Sequence, residues 1–377
     1  TTHTKGGRYV SRDTRDQRRG SWPVLLLLVL IGVAAQFAPW PSTWADAVFL
    51  RGTLPAWSSV TATVVTSVAG SVSVAVALAL AIVVIVALLS GRGPRRFALR
   101  LVLWSVAISV AAFPFTFGLG YRTTALETRL GVDAATAGSE LLPTPALASV
   151  VSIASESALE VLTESAAALG TAVPEAPDAQ TPGEAAAACL SDYIATFSDA
   201  PRATIPDRVK ALPAGWLLRF DFAGVNNPWL LEPHVDAGLP AASGLAVALH
   251  ELAHTAGFAR EAEAEAVALL AGMSCADARV RYAASLRAAS SFAGELSPDA
   301  RESYLSRWPA VATADVAAAA AATARFRSQT ASELMTGIYD VYLTSQGAEE
   351  GLDDYARALT IVARVIGRDG TPRVMPR

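Results

Sequence analysis

The stretch LAVALHELAHTAGFAREAEAEAVALL, residues 245–270, decides which fold and which chemistry the sequence predicts. His250 and His254 lie four residues apart, so a helix places both imidazoles on one face, where they can converge on one metal ion. Glu251 lies beside them, where its carboxylate can take a proton from a water whose pKa zinc has lowered. Gly257 is a typical helix stop, so the helix is expected to end just after the second histidine.

Three glutamates follow the turn, and each is a candidate for the third ligand of such a site. Metzincin peptidases place a histidine three residues after the glycine, but here that residue is Arg260, so the metzincin pattern does not match. Glu261 and Glu265 share a helix face because four residues separate them, whereas Glu263 points largely away. From the residues alone, all three glutamates stay open as the third ligand.

A plainer interpretation of this stretch is an ordinary helical core. Glutamates at a helix start suit the positive end of the helix dipole, and two histidines on an apolar helix are more often core residues than ligands. The combination of both histidines with Glu251 and the turn favours a zinc site instead.

The composition indicates a membrane protein rather than a purely soluble one. The chain is 52% hydrophobic and 17% charged, with a mean hydropathy of +0.37. A net charge of −4 gives no electrostatic support for a nucleic-acid partner. Cys189 and Cys275 lack CxxC spacing, which excludes a cysteine-based zinc site and leaves a disulfide and two free thiols equally open. Residue 1 is Thr rather than Met, which predicts an excerpt or a processed chain.

Three apolar stretches predict three transmembrane helices within a membrane region at 23–120, after a basic tail at 1–22. The stretches are 24–38, 60–89 with its most apolar part at the C-terminal end, and 97–120. Arginines are concentrated in the tail and in the link between the second and third stretches. The positive-inside rule therefore predicts a cytoplasmic N-terminus and an extracytoplasmic domain after the third span. A buried hairpin of soluble helices is the alternative.

The pattern of residues 121–377 predicts amphipathic helices separated by loops. A flexible Pro-rich linker is predicted at 171–184, and a short strand or extended segment within 211–231. The expected helices are 145–169, 242–256, 260–273, 277–291, 313–334 and 351–366.

Four blocks of the chain resemble a bacterial family of polytopic membrane proteins known as domain of unknown function 3810, whose members are regarded as zinc metallopeptidases. The blocks are FGLGYRTTALETRLGV (117–132), AGVNNPWLLEPHVDAGLP (223–240), HELAHTAGFAREAEAEA (250–266) and YDVYLTSQGAEEGLDDYARAL (339–359). The third block is specific by itself, and the order of the four adds weight. The resemblance covers most of the chain from the first apolar stretch onward.

The resemblance implies that His250 and His254 are metal ligands and that Glu251 is the general base. The family's acidic motif ends Glu-Ala-Asn, whereas Glu265 stands here in place of the asparagine. Many membrane-associated peptidases with a His-Glu-x-x-His motif carry a glutamate ligand three residues before an Ala and four before an Asp or Asn. That spacing favours Glu261 as third ligand, with Glu265 orienting a histidine.

Glu263 and Glu265 remain alternatives for the third ligand.

Two further expectations concern residues outside the main motif. His234 could be a ligand, although it lies in a Pro-rich segment, and Tyr339 or Tyr342 could stabilise an oxyanion, although tyrosines at helical spacing are more often packing residues.

The sequence therefore predicts a mainly α-helical protein, with transmembrane helices followed by a zincin-like metallopeptidase domain. The expected localisation is the bacterial cell membrane, in a multi-pass arrangement with an extracytoplasmic catalytic domain. The expected cofactor is Zn²⁺, and the expected partners are the lipid bilayer and a peptide or protein substrate. An intramembrane protease is disfavoured because few apolar residues precede His250 and Arg260 follows closely. The alternative of another class is a non-catalytic membrane protein whose extracytoplasmic helical domain binds a partner.

Overall fold

The computed structural model describes residues 22–132, 144–170, 181–197, 201–346 and 354–369. The predicted basic tail, apart from its last residue, and residues 171–180 of the predicted linker lie outside these described residues. The chain divides into two compact units, one taking in the chain up to Pro39 together with Leu78–Pro114, and the other Trp40–Ala77 together with Phe115–Arg377.

Fifteen α-helices can be followed along the described residues, most of them in the second unit. They are α1 Trp22–Phe37, α2 Ser42–Ala45, α3 Leu54–Ser67, α4 Val72–Leu89, α5 Arg92–Thr116, α6 Leu126–Arg129, α7 Thr144–Leu169, α8 Thr181–Ile194, α9 Ala241–Thr255, α10 Glu261–Met273, α11 Ala278–Glu295, α12 Pro298–Leu305, α13 Ala310–Phe326, α14 Gln329–Ser345 and α15 Asp354–Asp369. A π-helical segment, Asp46–Thr53, joins α2 to α3, and 3₁₀ turns lie at Gly118–Arg122 and Leu218–Phe220.

Two of these helices are long and apolar enough to cross a membrane, namely Val72–Leu89 (α4) and Gly93–Thr116, which is nearly all of α5. The apolar helix α1 is shorter, with 16 residues. Length and composition therefore agree with the prediction of membrane helices for α4 and α5, and the three-span topology stays a prediction. In the first unit, a side chain at Gly32 of α1 would clash with the backbone of Val110 of α5, so only glycine permits this close helix contact.

The predicted second span, a helix of about 20 residues inside the apolar run 60–89, corresponds to α4, and the earlier part of the run belongs to the end of α3 and the residues that follow it. The chain leaves the helix after α3 and restarts it at Val72, so the run divides into two helices. The most apolar part of that run coincides with α4.

Helices of the second unit pack around α10, whose residues are all buried. Helices α8, α9, α11 and α15 contact it, and α7 packs on α11 and α15. Cys189 of α8 and Cys275, just after α10, form a disulfide with a Cα–Cα distance of 5.4 Å. The open choice between a disulfide and two thiols is thereby decided for the disulfide.

A small three-stranded sheet completes the second unit, with strands β1 Lys210–Leu212, β2 Gly224–Asn227 and β3 Glu232–Asp236 in the order β1-β3-β2. β1 runs parallel to β3, and β2 runs antiparallel to it. Helix α9 packs on β3 and β2. The predicted extended segment within 211–231 is confirmed, although the central strand β3 follows it.

Most helix predictions in this unit agree with the structure within a few residues, and the exceptions have local causes. The helix predicted at 313–334 is wrong as one element, because Arg327 and Ser328 adopt extended backbone between α13 and α14. Helix α8 begins at Thr181, inside the predicted linker 171–184. Helix α12 was not predicted. It begins with Pro298, and proline is favoured at the first position of a helix.

Candidate metal centre

The turn after α9 fixes where the helix ends and how its second histidine is oriented. Gly257, with φ +104°, lies in the left-handed region, and its N–H donates to the carbonyl of His254, while Phe258 N–H donates to that of Ala253. This pair of bonds is a Schellman motif, which satisfies the last carbonyls of a helix. The carbonyl of Phe258 then lies 2.8 Å from His254 Nδ1 and accepts its proton.

The helix pair α9–α10 brings three donor atoms together. His250 Nε2 lies 3.1 Å from His254 Nε2 and 3.2 Å from Glu261 Oε2, and His254 Nε2 lies 3.5 Å from the same oxygen. Tetrahedral zinc with bonds of 2.0–2.1 Å requires its ligand atoms to lie about 3.3 Å apart. The three atoms therefore have the spacing of one face of a zinc tetrahedron, and all three residues are buried.

The outer nitrogens of both imidazoles have acceptors as partners. His250 Nδ1 lies 2.9 Å from Glu265 Oε2, and His254 Nδ1 faces the Phe258 carbonyl. Since a carbonyl and an ionised carboxylate only accept, we assign the proton of each neutral ring to Nδ1. Both Nε2 atoms then carry a lone pair directed at the other and at Glu261. Three acceptors at this separation need a cation between them.

Without a metal ion, a proton on His250 can supply the positive charge among these three acceptor atoms. Burial disfavours a charged His250, but its hydrogen bonds to Glu261 and Glu265 outweigh this effect and raise its pKa to about 10. Burial likewise opposes ionisation of Glu261, but the charge of His254 and the bond to His250 hold its pKa well below the usual range. A proton is therefore held where a metal ion would bind.

Glu261 is held by a second contact through Oε1, whereas Oε2 is the oxygen that faces the histidines. Tyr339 of α14 donates its hydroxyl to Glu261 Oε1 at 2.5 Å. Its ring lies between Phe222, at a centroid distance of 5.4 Å, and Tyr342, whose ring stacks on it at 6.0 Å. The Tyr342 hydroxyl lies 3.2 Å from that of Tyr121. The structure thus places Tyr339 on a candidate ligand and Tyr342 one contact further away.

The other two glutamates of the acidic run have different partners. Glu265 bridges His250 to Arg287, whose guanidinium donates to both carboxylate oxygens. Burial opposes ionisation of Glu265, but Arg287 and His250 lower its pKa to about 2. Glu263 instead accepts from Arg260 at 2.6 Å and from Leu126 N–H at 3.1 Å, so it faces away from the histidines.

Comparison with known proteins gives one assignment. The family described as "Protein of unknown function (DUF3810)" matches residues 48–362, which is most of the chain. The chain belongs to this family. No curated protein and no solved structure matched it. The matched range of this DUF3810 protein contains both apolar helices and every residue of the candidate metal centre, and the family description assigns no activity to them.

Glu251, the expected general base of this DUF3810 protein, belongs to α9, and its carboxylate faces β2, one of the two edge strands of the sheet. A side chain at Gly224 of β2 would meet Glu251 Oε1 at 2.6 Å, so only glycine lets the strand approach this closely. Burial raises the pKa of Glu251, against the opposing charges of His250 and His254. Among the described residues, no hydrogen bond to this carboxylate is present, so it is available to a further partner.

His234 lies in β3 and outside the cluster of three donors. Its Nε2 lies 2.8 Å from the Ser71 hydroxyl and 3.5 Å from Glu232, and its Nδ1 lies 3.2 Å from the Val225 carbonyl. It is therefore part of a separate polar cluster. It lies in a strand, not in the loop that its neighbouring proline suggests.

Sequence reasoning missed the contact of Arg287 with Glu265 and two contacts of the ligands themselves. The Tyr339–Glu261 hydrogen bond joins residues 78 positions apart, and the spacing of tyrosines on α14 carries no signal for it. The orienting carbonyl of Phe258 is a backbone group, which side-chain patterns cannot reveal. Its position follows from the Gly257 turn, so a Schellman motif at this glycine would have been the available signal.

Proposed function

We propose that this DUF3810 protein is a membrane-anchored, zinc-dependent metallopeptidase. The observation that carries the proposal is the convergence of three acceptor atoms from His250, His254 and Glu261 within 3.5 Å, with both outer imidazole nitrogens already bonded. Imidazole nitrogen and carboxylate oxygen are ligands that zinc accepts, and three protein ligands with an open fourth position are typical of catalytic zinc sites.

Zinc held there would supply a Lewis acid and would lower the pKa of a coordinated water. The protein's own part is to hold the ligands in one orientation. Glu265 fixes the ring of His250, the Phe258 carbonyl fixes the ring of His254, and Tyr339 holds the Glu261 carboxylate through Oε1. Outer contacts of this kind set ligand basicity and metal affinity.

Glu251 is proposed as the general base. It follows the first histidine on α9, its carboxylate is buried, and burial raises its pKa, which makes it a stronger proton acceptor than an exposed glutamate. A catalytic carboxylate must remain able to accept a proton from water and return it to a leaving amine, which fits the lack of a hydrogen bond to it among the described residues.

The proposed substrate is an extended segment of a peptide or protein. β2 is an edge strand of the described sheet, and Gly224 holds it against the Glu251 carboxylate. Edge strands offer unpaired backbone groups to which an extended peptide can add as a further strand. A polypeptide paired there would pass beside the proposed base.

The membrane topology belongs to the same proposal. Three spans with a cytoplasmic N-terminus would place the metal centre outside the cell, as the arginine distribution predicts. The Cys189–Cys275 disulfide supports this side of the membrane, because disulfides persist in oxidising compartments.

Zinc content of the detergent-purified chain tests the proposal. We expect about one zinc per chain by mass spectrometry, lost in the His250→Ala/His254→Ala variant and kept in His234→Gln, which alters the neighbouring cluster. Hydrolysis of an unfolded protein substrate should follow the zinc. No zinc in the wild type after zinc has been offered would overturn the metal centre. Bound zinc without hydrolysis of any unfolded protein, and without any effect of Glu251→Gln in cells, would favour a non-catalytic domain that binds a partner.

A further inference from the structure

Helix α3 has the composition of a lipid-contacting helix, although it belongs to the same compact unit as the metal centre. Its sequence, LPAWSSVTATVVTS over Leu54–Ser67, contains no charged residue. At 1.5 Å per residue it is about 21 Å long, which is too short to cross a hydrocarbon core of about 30 Å. A helix of this kind can lie at the membrane surface but cannot span the membrane.

One face of α3 is fastened to the unit that carries the sheet. Ser58 Oγ accepts from the N–H of Thr204 at 2.9 Å, and Thr66 Oγ1 donates to Asp207 at 2.7 Å. The buried ammonium of Lys210 in β1 donates to the last carbonyls of the helix, those of Val65 and Val68. A cation at this position also complements the negative end of the helix dipole.

The opposite face of α3 is exposed and apolar. Trp57, Val60 and Val64 follow helical spacing and are 37%, 56% and 42% exposed. Two exposed hydroxyls on the helix bond to its own carbonyls, Ser59 to Ala56 at 2.9 Å and Thr63 to Ser59 at 2.8 Å. Water would satisfy such hydroxyls, but in hydrocarbon they need a partner within the protein.

The start of α4 lies beside this face along the chain. Helix α4, a candidate membrane span, begins at Val72, and Glu232 of β3 accepts from the N–H groups of Val72 and Ser73 at 2.8 Å each. The first turn of α4 is therefore fixed to the same sheet as α3. The exposed face of α3 thus continues, after four residues, into a helix with the composition of a membrane span.

We propose that the Trp57–Val60–Val64 face of α3 rests in the lipid of the membrane surface and holds the metal centre beside the bilayer. The continuity with α4, the absence of charge and the internally bonded hydroxyls select lipid as the occupant. Trp57 at the edge of the face suits this position, because tryptophan is enriched where a membrane meets water.

The lipid-contacting face of α3 also indicates the substrate class, and this inference rests on the proposed function. Trp57 donates its indole N–H to the carbonyl of Trp229 at 2.7 Å, and Trp229 lies in the turn between β2 and β3. The edge strand that faces Glu251 is thereby joined to the lipid-contacting helix. The polypeptides that reach this edge strand are therefore the membrane-proximal segments of membrane-attached proteins.

Single cysteines in the full chain, reconstituted in vesicles, test the lipid contact. Val60→Cys and Val64→Cys report on the face, and Val316→Cys, an exposed valine on α13, is the matched control. The native cysteines are paired and do not react. A permanently charged thiol reagent should react more than about tenfold slower at 60 and 64 than at 316, because it cannot enter hydrocarbon. Fluorophores at 60 and 64 should be quenched by nitroxide-labelled lipid.

Equal reaction rates at all three positions would overturn the lipid contact. Protection at 60 and 64 without quenching by the labelled lipid would also overturn it, because a second copy of the chain would then cover the face. Both outcomes are independent of zinc and of hydrolysis.

The substrate class is tested with one reporter segment in two positions on a single-pass anchor. In one it follows the anchor directly, and in the other a flexible spacer of about 60 residues, with a mean span of about 45 Å, separates them. We expect faster cleavage of the proximal segment. Equal cleavage would overturn the membrane-proximal substrate. Cleavage of neither, with the cysteine probes in lipid, would contradict the proposed hydrolysis and leave the lipid contact standing.

Discussion

Two buried clusters of histidine and glutamate both contain a histidine that acts electrostatically on Glu251, and they differ in how their lone pairs are satisfied. In the cluster of β3, Glu232 accepts from two backbone N–H groups and two serine hydroxyls. In the cluster of α9 and α10, three acceptor atoms face one another. The first cluster is complete with protein donors alone, whereas the second is complete only with a cation.

The comparison shows that residue types alone do not identify a metal site. Glu232 and His234 are as buried as His250 and Glu261. Burial opposes ionisation of Glu232, but its bonds to His234, Ser73 and Val72 lower its pKa to about 2 without any metal. A buried His–Glu pair with enough donors is a structural feature, and the same pair with an excess of acceptors is a candidate metal centre.

The largest expected effect comes from the Glu251 carboxylate, on which histidines of both clusters act. Glu251→Gln should lower hydrolysis by about 10²–10⁴-fold, because the amide cannot accept a proton. Zinc content should not change, because Glu251 is not one of the three converging residues. Parallel measurements of turnover and zinc stoichiometry check both parts.

Loss of zinc in Glu251→Gln would contradict the separation between the base and the ligands. A matched control is Glu127→Gln, which alters a buried glutamate paired with Arg357 and distant in sequence from the histidines. Turnover of that variant should stay near the wild-type value once its folding has been verified.

The next effect separates two glutamates on one helix. Glu265→Gln should weaken zinc binding by about 10–100-fold, because the variant loses the charged acceptor that orients His250. Glu263→Gln should leave the affinity unchanged, since that carboxylate bonds to Arg260 and Leu126. Competition with a chelator of known affinity measures both variants. Equal affinities for the two would show that contact with His250 does not set metal binding.

These glutamates also show how far the sequence predicts the site. Spacing alone pairs His250 with His254, and Gly257 alone indicates the turn. The choice among the three glutamates depends on tertiary partners, because Arg287 and Tyr339 come from α11 and α14. No local pattern contains those contacts, so the ligand set could be ranked from sequence but not decided.

The fold shows the same division between local and tertiary causes. The apolar run at 72–89 predicts α4 because composition suffices for such a helix. The break before it is not predicted, because residues 68–71 are small or apolar and permit a continuous helix. Lys210 at the end of α3 and Glu232 at the start of α4 stabilise the two helix ends, and both belong to a sheet that follows over 130 residues later.

A smaller effect is expected for the complete cluster. Glu232→Gln should lower the free energy of unfolding by about 1–3 kcal/mol, since hydrogen bonds to a charged acceptor are lost. Zinc content should not change. The folded-state pKa of Glu232 is depressed, so its stabilisation is present above the unfolded value near 4.5 and is lost as the pH falls toward about 2. Thermal unfolding of both proteins should therefore converge in acid, with the exposed Glu160→Gln as control. A constant difference at all pH values would contradict this assignment.

The smallest effect is the release of the proton that fills the cation position of the metal-free centre. Because the pKa of His250 is raised to about 10, this histidine is charged near neutral pH without metal and must lose its proton when zinc binds. Zinc binding between about pH 7 and pH 8 should release about one proton per ion, and the apparent affinity should rise with pH. Calorimetry in buffers of different ionisation enthalpy measures the number of protons.

Glu265→Gln removes one of the bonds that raise the pKa of His250, so this variant should release fewer protons per zinc ion. Binding without proton release in the wild type would mean that the two Nε2 lone pairs face each other with no cation, which the 3.1 Å separation of these atoms argues against.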